Sequence, residues 1–216
     1  MLQKILTELE KTNTQLVAVS KTKPVETIKA MYDRGQRVFG ENRVQELVSK
    51  VDHLPDDIIW HHIGHLQTNK VKYIADYISL IHGVESLKLL KEINKQAKKH
   101  HRVIDCLLQF HIAEESSKFG LDLKEARLLL TDADFKLLEN VRIIGVMGMA
   151  TFTSDLDQVR LEFRQLKEIF ETLKKEFFAN QPSFKEISMG MSGDYKVAIA
   201  EGSTIVRIGS LLFGAR

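Results

Sequence analysis

Two residues in this chain carry charge that ordinary packing does not call for. Lys21 closes the run Val17-Ala18-Val19-Ser20-Lys21, on the same alternating face as Val17 and Val19. If that face points inward, the amine enters the interior of the fold. A desolvated lysine loses its charge more easily and becomes a Schiff-base nucleophile; the plain alternative is a solvated strand-end lysine, like Lys23. Arg207 stands inside the apolar run Ile205-Val206-Arg207-Ile208-Gly209, where a permanent guanidinium charge needs an acceptor. No acidic residue lies in that run, so the acceptor is either a carboxylate on another strand or a bound ligand.

A third signal is the small-residue chemistry of Ser188-Met189-Gly190-Met191-Ser192-Gly193-Asp194 and of Gly209-Ser210. Glycines let a ligand approach the backbone, and N–H groups and hydroxyls offer donors without charge. Such loops either cradle phosphate or serve as turns and caps, with Ser192 or Asp194 capping the helix that follows. Taken together, the three signals ask for a ligand with a carbonyl for Lys21 and a phosphate for the Gly-Ser turns. Pyridoxal 5′-phosphate and a phosphosugar aldehyde both qualify.

Other chemistry-bearing residues read as structural. In Trp60-His61-His62-Ile63-Gly64-His65 the period of two puts His61 and His65 on one side and His62 on the other. No Cys, Asp or Glu joins them, so no metal site is expected. Cys106, the single cysteine, lies in an apolar run and reads as a small buried hydrophobe. The lysine-rich stretch 95–101 reads as a solvated helix end.

These residues must be positioned by a regular frame. β-rich runs fall at 16–21, 37–42, 58–64, 78–83, 102–112, 141–149, 185–191 and 204–213. Segments of helical period lie between them, at 24–34, 43–51, 68–76, 86–100, 123–131, 155–177 and 195–200. The sixth shows the period best, with Leu156, Val159, Phe163, Leu166, Ile169, Phe170, Leu173 and Phe177 three or four apart and Ser154 or Asp155 placed to cap. Alternating strand and helix imply parallel pairing through right-handed crossovers. Eight such units in 216 residues predict a single-domain α/β fold, a compact (β/α)8 TIM barrel over residues 1–216; a doubly wound open sheet is the alternative, though no Gly-x-Gly-x-x-Gly follows the first strand. In such a barrel reactive groups sit at the C-terminal strand ends, and phosphate sits in the loops after strands seven and eight.

Composition narrows the class. Charged residues make up 28% and the net charge is +2, a balance that argues for no nucleic-acid or membrane partner. One cysteine and the lack of a signal-peptide pattern or a long apolar run point to a cytoplasmic protein, expected to act as a monomer.

The motifs Ala18-Val19-Ser20-Lys21-Thr22-Lys23-Pro24, Phe39-Gly40-Glu41-Asn42, His61-x-Ile63-Gly64-x-Leu66-Gln67-x-Asn69-Lys70, Ser117-Lys118-x-Gly120, Ser188-Met189-Gly190-Met191-Ser192-x-Asp194, and Gly202-Ser203-Thr204-x-Val206-Arg207-Ile208-Gly209 to Phe213-Gly214-Ala215-Arg216 resemble the pyridoxal phosphate homeostasis protein family, similar in turn to the barrel domain of alanine racemase. The resemblance runs in order from about residue 16 to the last. It implies that Lys21 carries pyridoxal 5′-phosphate as a Schiff base and that Asn42 lines the pocket. It further implies that Ser188, Gly209 and Ser210 hold the phosphate, while Arg207 faces the pyridine nitrogen and weakens the cofactor as an electron sink. Lys118 is the chief rival of Lys21. The chain departs from the family pattern in His111, where Asn is usual, in His62, where Phe is common, and in a shorter N-terminal helix.

Racemases and decarboxylases of this fold type use a second, β-rich domain, and none is expected after the eighth strand here. None of Tyr32, Tyr73, Tyr77 and Tyr195 is placed by motif as an opposing base. The expected function is therefore a binding protein that carries the cofactor, keeps the free aldehyde low and passes it on, with cofactor-dependent apo-enzymes as recipients. A weak amino-acid racemase is the runner-up, and a class I aldolase-like enzyme is the third reading.

Overall fold

Alternation along the strands divides the apolar residues into two sets. Val17, Val19, Val38, Ile63, Leu80, Leu107, Met147 and Ile205 pack into one cluster. Their neighbours in sequence, among them Ala18, Phe39, Ile81, Cys106, Val146 and Val206, pack into a second, larger one with the helices. A sheet whose two faces both bury apolar side chains must be covered on the outside and closed on the inside, the arrangement of a barrel.

The computed structural model, which describes residues 1–114 and 119–214, has this architecture. Strands β1 (Gln15–Val19), β2 (Val38–Glu41), β3 (Ile59–His62), β4 (Leu80–Val84), β5 (Ile104–His111), β6 (Val141–Met149), β7 (Glu186–Ser188) and β8 (Ile205–Ile208) form a closed barrel in sequence order. All pairs are parallel, and β1 closes on β8 with Val17 beside Arg207. The outer layer holds α1 (Leu2–Glu10), α2 (Val25–Asp33), α3 (Val44–Val51), α4 (Leu87–Lys99), α5 (Leu123–Thr131), α6 (Leu156–Phe177), α7 (Tyr195–Ala200) and α8 (Ser210–Phe213). The open-sheet alternative is thereby excluded. Among the described residues no helix is long and apolar enough to cross a membrane.

Local chemistry sets where elements stop, and here the expected boundaries shift. The expected helix at 68–76 is a 3-10 turn, Thr68–Tyr73. The seventh strand ends at Ser188 because Gly190, at φ +94°, turns the chain away, and a Cβ there would lie 2.5 Å from that of Ala198. The eighth stops at Ile208, not at residue 213, because the N–H groups of Leu212 and Phe213 return to the Gly209 carbonyl and begin α8. Asp155 caps α6 by accepting from the N–H groups of Asp157 and Gln158. The apolar face of α6 begins at Val159, leaving Leu156 about half exposed. Cys106 is buried, and burial pushes its thiol up, as an inert core thiol requires.

Candidate functional site

At the C-terminal end of the barrel a cavity of about 400 Å³ brings together Lys21, Asn42, Arg207, Gly209 and Ser210 from the first, second and eighth strand ends. Its walls are Val19 and Ile63 below, and Met149, Ala150, Phe152 and Leu156 on the β6–α6 side. Among the described residues the charged groups lining it are Lys21, Lys23, Arg207 and a single carboxylate, Asp194. That excess of cations favours an anion.

Lys21 lies two residues beyond the end of β1, above the inward-facing Val17 and Val19. Asn42 follows β2 directly, and its backbone is crossed so closely by the β3 loop that a Cβ on Gly64 would lie 2.5 Å from the Asn42 carbonyl oxygen. The Lys23 ammonium donates to the carbonyls of Phe213 at 3.1 Å and Gly214 at 3.5 Å, tying the end of α8 to the mouth.

Arg207 enters the floor from β8 and is buried. Its Nη1 donates to Ser188 Oγ at 2.6 Å and its Nη2 to the Gly148 carbonyl at 3.0 Å. Both partners are neutral, and among the described residues no carboxylate pairs with it, so the cross-barrel salt bridge is not formed. Burial lowers its pKa to about 10, against the pull of Asp194.

Ser188 departs from expectation. It is fully buried and does not line the cavity; besides Arg207, its hydroxyl meets His82 Nδ1 at 2.9 Å, and His82 Nε2 meets His61 Nδ1 at 3.1 Å. The reason is depth: β7 ends with Ser188, and the loop toward the cavity starts only after it. Because Arg207 can only donate, Ser188 directs its own proton to His82 Nδ1, which leaves His82 to donate to His61. Burial holds both rings neutral, His61 down at about 3 and His82 well below its ordinary value. In this arrangement the serine holds the guanidinium from beneath the cavity.

The hydroxyl that does reach the cavity from this loop belongs to Ser192. Its oxygen accepts from the N–H groups of Gly209 at 3.2 Å and Leu211 at 3.5 Å, so its proton remains for an acceptor in the cavity. Neither Ser192 nor Asp194 caps α7; the Asp194 carboxylate accepts instead from the Met191 N–H. Sequence reading placed Ser192 in the loop without choosing it over Ser188, and it missed His82, whose only signal was a polar residue on the Leu80 face of β4.

The remaining candidates fall elsewhere. His62 is buried on the opposite face from His61 with both ring nitrogens unpartnered, and His65 pairs with Glu85 at 3.1 Å on the surface. His111 is exposed at the end of β5 and does not line the cavity. Lys70 lies in the 3-10 turn, over the Tyr73 ring. Ser117, Lys118, Ala215 and Arg216 lie outside the described residues.

An amine, a buried guanidinium without a carboxylate partner and a hydroxyl with a proton to give, set around one cavity, fit a phosphorylated aldehyde. The comparisons agree with that chemistry. The alanine racemase N-terminal domain family matches residues 2–216. A pyridoxal phosphate homeostasis protein of Aquifex aeolicus is 42% identical over 94% of this chain and 87% of its own. The chain belongs to the pyridoxal phosphate homeostasis protein family. Among solved structures, this pyridoxal phosphate homeostasis family member is similar to PipY of Synechococcus elongatus PCC7942. The form without PLP is 34% identical with a TM-score of 0.89, covering 99% of this chain and 100% of that one. The form with PLP bound is 33% identical with a TM-score of 0.86, over the same shares.

Proposed function

We propose that this protein binds pyridoxal 5′-phosphate at Lys21 and acts, as one cofactor-binding domain over residues 1–216, in the intracellular homeostasis of that cofactor. The carrying observation is the single cavity that gathers Lys21, Asn42, Arg207, Gly209 and Ser210. When bound, the cofactor supplies an aldehyde that condenses with a lysine amine, releasing one water. Ser192, Gly209 and Ser210 would hold its phosphate with hydroxyl and N–H donors. Asn42 would line the ring. Arg207, held by Ser188 and the Gly148 carbonyl, would place a fixed positive charge where it disfavours a protonated ring nitrogen.

Storage and delivery to cofactor-dependent apo-enzymes, in the cytoplasm and as a monomer, follow from this reading. A racemase needs a second acid or base facing the lysine, and among the described residues no tyrosine lines the cavity. Tyr195 donates to Glu8 and Tyr32 to Asp57.

The test is titration with pyridoxal 5′-phosphate, borohydride reduction and peptide mapping. The expected result is one phosphopyridoxyl group per chain on Lys21. An adduct mainly on Lys118 or Lys70 would falsify the site, and amino-acid turnover at about 1 to 1000 per second would replace the carrier with an enzyme.

A further inference from the structure

Immediately outside the barrel wall, behind Lys21, lies a buried ionic cluster. Lys50, in the last turn of α3, is 6% exposed and falls on the buried face of that helix with Val44 and Leu47. Its ammonium contacts Glu41 Oε1 at 2.8 Å and Glu46 Oε1 at 2.6 Å. Glu41 ends β2 with its side chain fully buried. Charges taken out of water in this way contribute little net stability compared with apolar residues of the same size, so their presence calls for another reason.

That reason is on the neighbouring strand end. Lys50 Nζ also donates to the Ser20 carbonyl at 3.0 Å, and Ser20 Oγ donates to Glu41 Oε1 at 2.6 Å. The Thr22 N–H donates to Glu46 Oε1. The backbone is therefore gripped on both sides of Lys21 by Lys50 and Glu46, and the Ser20 hydroxyl by Glu41, three charged side chains that do not line the cavity. The grip is needed because Thr22 has φ +64°, a left-handed conformation that a β-branched residue adopts only under constraint. Lys21 and Thr22 both line the cavity on this turn, while the Ser20 side chain is turned to Glu41 behind it.

We propose that Glu41, Lys50 and Glu46 are positioning residues for Lys21, setting the geometry of its reaction with the aldehyde without contributing to phosphate binding. The proposal rests on the assignment of Lys21 as the cofactor lysine. A bond-forming amine gains from being held in place before it reacts, so loosening the turn weakens capture of an aldehyde but not of a ligand without one.

The probe pair that separates these effects is pyridoxal 5′-phosphate and pyridoxine 5′-phosphate, in which an alcohol replaces the aldehyde. Dissociation constants for both are measured on the full chain and on Glu46→Gln and Lys50→Met. Glu46 is partly exposed and its amide keeps the shape, so Glu46→Gln remains a folded test if Lys50→Met, which strands the Glu41 charge, does not fold. The expected result is about a tenfold weaker binding of pyridoxal 5′-phosphate, the scale of one lost charge-assisted hydrogen bond, with pyridoxine 5′-phosphate unchanged. Equal loss for both ligands, or no loss in a folded variant, overturns the positioning role while leaving Lys21 in place. A wild-type chain that binds the two ligands equally, with no adduct at Lys21, overturns the cofactor-lysine assignment and this inference with it.

Discussion

Arg207 Nη1 lies 2.6 Å from Ser188 Oγ, joining β8 to β7 at the depth where the barrel interior changes from apolar to polar. Around it the inner face is filled by apolar residues such as Val17, Val38, Leu80 and Ile205. At it, one buried cation is shared between a hydroxyl and a carbonyl, and a chain of neutral polar groups runs on through His82 to His61. Ser188→Ala removes the hydroxyl and leaves both the guanidinium and His82 short of a partner. A loss of about 1 to 3 kcal/mol in folding stability is expected, read from denaturant midpoints. Retention of pyridoxal 5′-phosphate should fall with it, as the guanidinium is no longer fixed.

Ser192→Ala should behave differently. Ser192 is half-buried at the mouth, and its hydroxyl supports the Gly209 and Leu211 N–H groups. Its loss should weaken pyridoxal and pyridoxine 5′-phosphates alike, by about tenfold or more, with little change in melting temperature. Calorimetric titration of both ligands checks this; a selective loss of the aldehyde form would assign Ser192 to the lysine and not to the phosphate.

Three buried histidines make stability depend on pH. Burial lowers His61 from 6.5 to about 3 and His62 from 6.5 to about 4, and holds His82 well below the same value. Each is neutral when folded, whereas the unfolded chain takes up its protons below about 6.5. Stability is therefore full above that pH and falls as the pH drops toward 4, by about 1.4 kcal/mol per pH unit for each histidine. Unfolding midpoints at pH 7.5 and 5 measure the slope. His62→Phe, which removes two unpartnered ring nitrogens, should flatten that slope and add about 1 kcal/mol at neutral pH.

Gly145 has no room for a side chain. A Cβ there would lie 1.8 Å from the Glu186 carbonyl oxygen, at the point where β6 shifts register against β5. Gly145→Ala must push β7 away, at a cost of about 1 to 3 kcal/mol or more. Because β7 carries Ser188, the variant should lose both stability and cofactor binding, whereas Gly193→Ala, with nothing near its Cβ, should keep the fold.

The sequence by itself determined the frame and its most conspicuous charges. Hydrophobic periodicity is a local property, so the order of strands and helices and the barrel they build could be read from it. Lys21 and Arg207 stood out because an amine and a guanidinium on the inward face of apolar strands contradict that pattern. Tertiary structure alone decided depth and partnership. Whether Ser188 or Ser192 faces the cavity depends on where β7 ends, which a left-handed Gly190 sets through its contact with Ala198. The pairing of Ser188 with Arg207 and His82 joins residues far apart in the chain, and the cluster behind Lys21 forms only because α3 packs beside the end of β1. Such contacts follow from barrel register and closure, which bring distant segments together at distances no local pattern records.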